Sequence, residues 1–151
     1  MATDQERSTP ITIILESGDA NAQGDRAHFW NQLTPPPLRL DSTCRWEIAV
    51  ESATLPHPGQ NKSVFVTSSL AENTRVGSSS IPLLVKIPLS ADAGTYYYIP
   101  QSNIQGWRPL QGHFHDRVEV RLSYGANADI PPATDPTADF TSVTVVIRET
   151  I

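Results

Sequence analysis

The 151-residue chain has very little cysteine and no long apolar stretch. Cys44 is its one cysteine, so no disulfide can form within the chain, which excludes the disulfide-stapled scaffolds of small secreted domains. We therefore expect the chain to fold in a reducing compartment. No run approaches the ~20 apolar residues of a membrane-spanning helix, and the polar opening MATDQERSTP lacks the apolar core of a signal peptide. No membrane span is predicted.

Positive charge is also scarce. Eleven Lys and Arg residues stand against sixteen Asp and Glu, which gives a net charge of −5, and no basic run is present. A protein held to nucleic acid by its overall charge needs the opposite balance, so no specific nucleic-acid binding is expected. Thirteen prolines are spread through the chain. They disfavour helices, because each would cost about 3 kcal/mol inside one.

What the chain does contain is a series of short runs in which apolar and polar residues alternate, bounded by Pro, Gly, Asn and Ser. Alternation with a period of two is typical of β-strands that bury one face. Two pieces, 38–40 and 104–110, are shorter or irregular. The other runs cover residues 11–16, 28–33, 45–55, 63–67, 81–89, 95–99, 118–124 and 140–149.

About eight strands predict an all-β fold, a single jelly-roll built as a two-sheet antiparallel β-sandwich. We assign this domain to residues 11–151 and a flexible N-terminal segment to residues 1–10. Seven strands would suit an immunoglobulin-like sandwich instead, but the Cys…Trp…Cys signature of that fold is absent.

Two runs carry specific predictions about faces. In 45–55, Trp46, Ile48 and Val50 share the apolar face, and Glu47 and Glu51 share the wet one. Run 81–89 puts four aliphatic residues on one face and prolines on the other, and strands that contain proline lie at sheet edges. The four aliphatic residues are Leu83, Val85, Ile87 and Leu89.

The segment GHFHD holds the chain's most metal-like pattern. His113 and His115 are two residues apart, so on a strand they face the same way, and with Asp116 they supply part of a zinc or iron site. Further ligands would have to come from His28, His57 or a distant carboxylate. We predict no metal site.

Catalytic groups are equally hard to assemble. No nucleophile motif surrounds Cys44, and nothing separates the environments of Glu47 and Glu51 as a paired acid and base require. No glycine-rich loop precedes a helix to cradle a phosphate. We therefore predict no catalytic residue, no cofactor and no enzyme activity.

Aromatic residues indicate a different role. Trp30 and Trp107 lie in loop-like contexts, and neighbours in the tyrosine run 96–98 must point to opposite faces of a strand. Aromatic residues are enriched at protein interfaces. We predict that Trp30, Tyr97 and Trp107 are interface residues of a self-associating protein.

A family resemblance supports that role. Residues 29–33 (FWNQL) lead through the proline-rich 35–40 to WEIAV at 46–50, which is followed by Leu-Pro-His at 55–57. This order of strand and turn residues resembles the N-terminal half of the single jelly-roll minor capsid (penton) proteins of virophages and Polinton-like viruses. The match covers about a third of the chain. The loop at 125–139 has no counterpart in the pattern.

The resemblance implies a structural capsid protein of the virion, the penton subunit at its vertex. Its expected partners are further copies of itself, as a pentamer, and a major capsid protein, with assembly in the cytoplasm or nucleus. Two alternatives stay open. One is a β-sandwich binding module for carbohydrate or protein, such as a spike or attachment domain. The other is a cupin-like metal enzyme that uses His113 and His115.

Overall fold

The computed structural model describes residues 9–17, 22–24, 28–33, 36–56, 63–88, 95–98, 106–125, 128–129 and 141–150. This part of the chain consists of strands, turns and connecting segments and contains no helix. The predicted N-terminal segment 1–10 lies outside it except for its last two residues. The strands are β1 (Ile11–Glu16), β2 (Ala22–Gly24), β3 (His28–Gln32), β4 (Leu38–Arg39), β5 (Trp46–Pro56), β6 (Ser63–Ser68), β7 (Thr74–Val76), β8 (Ser79–Ile81), β9 (Leu83–Pro88), β10 (Thr95–Tyr98), β11 (Arg108–Pro109), β12 (Phe114–His115), β13 (Arg117–Gly125), β14 (Ala128–Asp129) and β15 (Ser142–Glu149).

Two antiparallel sheets form the sandwich. The first has the order β1-β15-β5-β10, with β11 also paired to β5, and the second has the order β2-β3-β13-β6-β9, with β14 paired to β13. Without β2, the two paths contain eight strands, namely β1, β3, β5, β6, β9, β10, β13 and β15. Numbered 1 to 8 along the chain, they run 1-8-3-6 in the first sheet and 2-7-4-5 in the second. This interleaved order is that of a jelly roll, so the predicted fold class is confirmed.

The core lies between the two sheets and follows from the alternation in the sequence. The inward residues of β13 and β15 are fully buried: Val118, Val120, Leu122, Val143, Val145 and Ile147. Burying an aliphatic side chain of this kind contributes about 1.5–3 kcal/mol. The same cluster includes Phe29 of β3 and Leu15 of β1, so residues of both sheets meet in one core.

A β-bulge divides β5 into two phases. Trp46, Ile48 and Val50 point into the core as predicted, but the register against β15 then shifts between its residues 144 and 145. Glu51 is the extra residue and is exposed, and after it Ala53 and Leu55 are buried. One inserted residue reverses which side chains face inward, so the long strand keeps its apolar side chains in the core along its full length.

The edge position predicted for the run 81–89 is confirmed, because β9 ends the path of the second sheet. The predicted single face is wrong. The pairing of β9 with β6 shifts by one residue, so Leu84 has no partner residue on β6. Leu84 packs in the core with Ile87, whereas Val85 is only half-buried. A bulge at an edge strand explains the break in alternation. Leu89 lies outside the described residues.

Candidate functional site

A cluster of polar and aromatic side chains stands on the outer face of the second sheet, where β3 pairs with β13. Trp30 is directly opposite Glu119, and His28 is opposite Arg121. Because Phe29 and Val120 point into the core, the alternation of the strands sends these residues outward. We call His28, Trp30, Arg117 and Glu119 the Trp30 cluster.

Glu119 organises this cluster. The indole N–H of Trp30 donates to Oε2 of Glu119 at 3.0 Å, and Nε2 of His28 lies 3.2 Å from Oε1 of the same carboxylate. The rings of His28 and Trp30 are 4.3 Å apart between centroids, and the Arg117 guanidinium is 5.1 Å from the centre of the Trp30 ring. The indole of Trp30, half-buried on this face, is therefore held in one orientation.

A second cation–aromatic pair lies on the same sheet, beyond β13. Phe65 of β6 is half-buried beside the exposed Lys86 of β9, whose ammonium is 5.8 Å from the ring centre. Trp30 and Phe65 on the outer face of this sheet are thus each accompanied by a cation. Aromatic residues and arginine are the types enriched at the centres of protein interfaces.

Backbone hydrogen bonds close one end of the sandwich. They link residues 33, 36–46, 68–72 and 109–116, and also join Thr150 to the turn before β5. We call these segments together the tied end. The bonds run from Leu33 N to Asp116 O, Leu40 N to His113 O, Gln111 N to Leu70 O, Glu72 N to Pro109 O, Leu110 N to Trp46 O and Thr150 N to Arg45 O, with lengths of 2.7–3.1 Å. Because these bonds fix the backbone of the tied end, they also fix the positions from which its side chains extend.

A cavity of about 700 Å³ opens at the tied end. Trp107 forms part of its wall, and the guanidinium of Arg148 lies 3.7 Å from the centre of the Trp107 ring. Arg148 in turn forms an ion pair with Glu47, its cross-strand neighbour. The tryptophan is thereby anchored to the outer face of the first sheet.

An aromatic side chain projects from the same end. Phe114 is 53% exposed on the two-stranded ribbon of β4 and β12, with the Arg39 guanidinium 5.2 Å from its ring centre. Gly112 precedes the ribbon with φ of 71°, a conformation that side-chain-bearing residues rarely adopt. The sequence did not predict a role for Phe114, because the recognisable pattern in GHFHD is its pair of histidines.

The three predicted interface residues have different outcomes in the structure. Trp30 and Trp107 are half-buried, and neither belongs to the hydrophobic core. Their predicted role as contact residues stays a prediction. Tyr97 lies in β10 with its backbone paired to Thr54, and its side chain lies outside the described part of the structure.

The histidines are not gathered at one place. His113 is exposed, with Nε2 3.3 Å from the carbonyl oxygen of Cys44, whereas His28 belongs to the Trp30 cluster. Nε2 of the half-buried His115 has no hydrogen-bond partner among the described residues. His57 lies outside them. Within the same residues, no three His, Cys, Asp or Glu side chains are placed to hold a metal ion.

The other candidate groups are also engaged separately. A hydrogen bond with Glu149, together with partial burial, raises the pKa of the Cys44 thiol, so the thiol stays protonated at neutral pH. Hydrogen bonds from the side chain and backbone of Thr43 lower the pKa of Asp41. Glu47 is paired with Arg148, and Glu51 stands in the bulge of β5.

No family model matches the chain, and the search of curated proteins finds no significant match. Among the described residues there is no helix long and apolar enough to span a membrane.

Proposed function

We propose that the chain is a structural capsid protein, the penton subunit at a virion vertex, which assembles as a homopentamer against a larger major capsid protein. The observation that carries the proposal is the Trp30 cluster on the outer face of a jelly-roll sheet. A fold by itself does not fix a function, and this surface is the feature that points to assembly. The resemblance of residues 29–57 to penton proteins supports the same conclusion.

The Trp30 cluster has the properties of an interface anchor. Its indole is already oriented by Glu119 and flanked by Arg117, so little side-chain entropy is lost when a neighbour covers it. A half-buried tryptophan still has apolar area to remove from water. The outer faces of β3, β13, β6 and β9 lie side by side and provide a continuous surface for a packed subunit.

Mass in solution tests the proposal. Native mass spectrometry and light scattering of the purified chain are expected to give a species of five times the 16.5 kDa monomer. Trp30→Ala should shift this species toward monomer without loss of secondary structure. Arg75→Ala, at an exposed position on β7, is the matched control and should leave the mass unchanged. Co-expression with a major capsid protein, followed by imaging of particles, locates the subunit.

A strictly monomeric wild-type chain at the highest soluble concentration, and absent from particles, would refute the proposal. The alternative, a β-sandwich binding module for carbohydrate or protein, predicts that monomer. The cavity at the tied end is the observation that favours this alternative.

A further inference from the structure

The cavity at the tied end is formed before any ligand arrives. Its walls come from the turn before β5 and the start of that strand, from Glu72, from segment 107–113 and from Thr150 after β15. Leu110 N donates to Trp46 O at 2.9 Å and Thr150 N donates to Arg45 O at 2.7 Å, so these walls are fixed to one another. A volume of about 700 Å³ lies in the range of small-molecule sites, which are usually preformed clefts.

The cavity combines an aromatic wall with hydrogen-bonding groups. Trp107 is braced by Arg148 at 3.7 Å, which holds the indole in place. Thr43, Glu72 and His113 line the cavity and are exposed, so they can exchange water for a ligand. Nε2 of His113 lies 3.3 Å from the carbonyl oxygen of Cys44, which leaves Nδ1 to face another partner.

Carboxylates outnumber guanidinium groups in and just behind the cavity wall. The guanidinium groups are those of Arg45 and Arg148, and the carboxylates are those of Glu47, Glu72, Asp41, which bonds to Thr43, and Glu149, which bonds to Cys44. Glu47 and Arg148 neutralise each other directly. The remaining excess of carboxylates disfavours an anion such as a phosphate, and carboxylates accept hydrogen bonds from hydroxyl groups. The lining therefore favours an uncharged ligand that has both an apolar face and several hydroxyl groups.

We propose that this cavity binds an uncharged saccharide. The C–H face of a sugar ring would pack against Trp107, as apolar surface packs on an aromatic ring. The Glu72 carboxylate accepts hydrogen bonds from sugar hydroxyls, and His113 and Thr43 exchange further ones. This inference does not depend on assembly, because a monomer and a pentamer both carry the cavity.

Saturation-transfer NMR on the 151-residue chain tests whether the cavity binds a saccharide. The panel of neutral oligosaccharides contains glucans, galactans, mannans and N-acetylhexosamine oligomers. Sialylated and sulfated oligosaccharides form the charged arm. At least one neutral oligosaccharide is expected to bind. Trp107→Ala should weaken that binding about tenfold or more, and Glu72→Gln about threefold to tenfold. Phe114→Ala is the control, since Phe114 is exposed at the same end but does not line the cavity.

Glu72 is exposed, so Glu72→Gln keeps the test valid even if Trp107→Ala fails to fold. Three results would each overturn the inference: no neutral oligosaccharide binds, only the charged ones bind, or Glu72→Gln binds as tightly as wild type. A pentamer that binds no saccharide would refute saccharide binding and leave the capsid proposal supported. A monomer that binds a saccharide would support saccharide binding and refute the capsid proposal.

Discussion

Replacing Trp46 tests the core and the tied end together. Its side chain is 8% exposed and belongs to the core cluster, and its indole N–H donates to the carbonyl oxygen of Asp41 at 3.0 Å. That bond spans the turn from Asp41 to β5, and the turn carries Thr43 to the cavity wall. Trp46 therefore has an apolar part and a polar part, and two substitutions separate them.

The magnitudes follow from the two parts. Trp46→Ala removes nearly the whole buried side chain and should cost about 3–5 kcal/mol of the free energy of unfolding. Trp46→Phe keeps an aromatic ring in the core, but it loses the N–H donor and part of the indole's volume. Asp41 is an exposed residue, so water can replace that donor, and the lost hydrogen bond and the smaller ring together should cost about 1–2.5 kcal/mol. A domain of this size is stabilised by only about 5–15 kcal/mol, so the alanine variant comes close to unfolding.

Denaturant unfolding followed by circular dichroism is the assay, with the midpoint and the slope fitted separately. Ile14→Ala is the control, because Ile14 is 60% exposed on β1 and its loss should change stability by no more than about 0.5 kcal/mol. If Trp46→Ala unfolds at the same denaturant concentration as wild type, Trp46 does not belong to the core. If Trp46→Phe is as damaging as Trp46→Ala, the hydrogen bond to Asp41 contributes more to the free energy of unfolding than burial of the ring does.

Three further changes have defined outcomes. Gly112→Ala should cost about 1–2 kcal/mol, measured by thermal unfolding, because φ is +71° there, whereas Gly106→Ala, with nothing within 4 Å of the new Cβ, should be neutral. Deleting Glu51 removes the extra residue of the bulge and leaves Val50, Ala53 and Leu55 in one unbroken alternation, so the variant should keep a native circular dichroism spectrum, whereas one more inserted residue should not; an unfolded deletion variant would contradict the assigned register. Cys44 should react with iodoacetamide more slowly than a cysteine peptide at pH 8, because Glu149 raises the pKa of its thiol; a faster reaction would reverse that assignment.

Much of the fold could be predicted because the strands encode their own faces. The alternation of Val118, Val120 and Leu122 has a period of two, and nothing local to β13 opposes it. The bulges could not be predicted in the same way. Glu51 is left over only because β15 fixes the register on both sides of it, and Leu84 only because β6 does so. These are properties of strand pairs, and a single strand's sequence does not contain them.

The candidate surfaces were predictable only in part, for a similar reason. Trp30 could be chosen as a bulky aromatic residue of the short run 28–33. Its partner Glu119 is 89 residues away in the chain, and only the register of β3 against β13 brings the two together. Trp107 was predicted as an interface residue, and the structure places it in a cavity wall, with Arg148 against its ring. Its contact role with another protein stays a prediction.

The Trp30 cluster and the cavity are built from different strands, and this decides how the two proposals relate. The Trp30 cluster belongs to β3 and β13 of the second sheet, whereas Glu47 and Arg148 belong to β5 and β15 of the first. A neighbour that covers the outer face of the second sheet therefore does not have to cover the cavity. A subunit built in this way can pack side by side through one face and keep a binding cavity open at the tied end. For this reason Trp30→Ala should change the mass in solution without changing saccharide binding, and Glu72→Gln should do the opposite. If either variant alters both properties, the two surfaces are coupled through the sandwich and cannot be treated as independent sites.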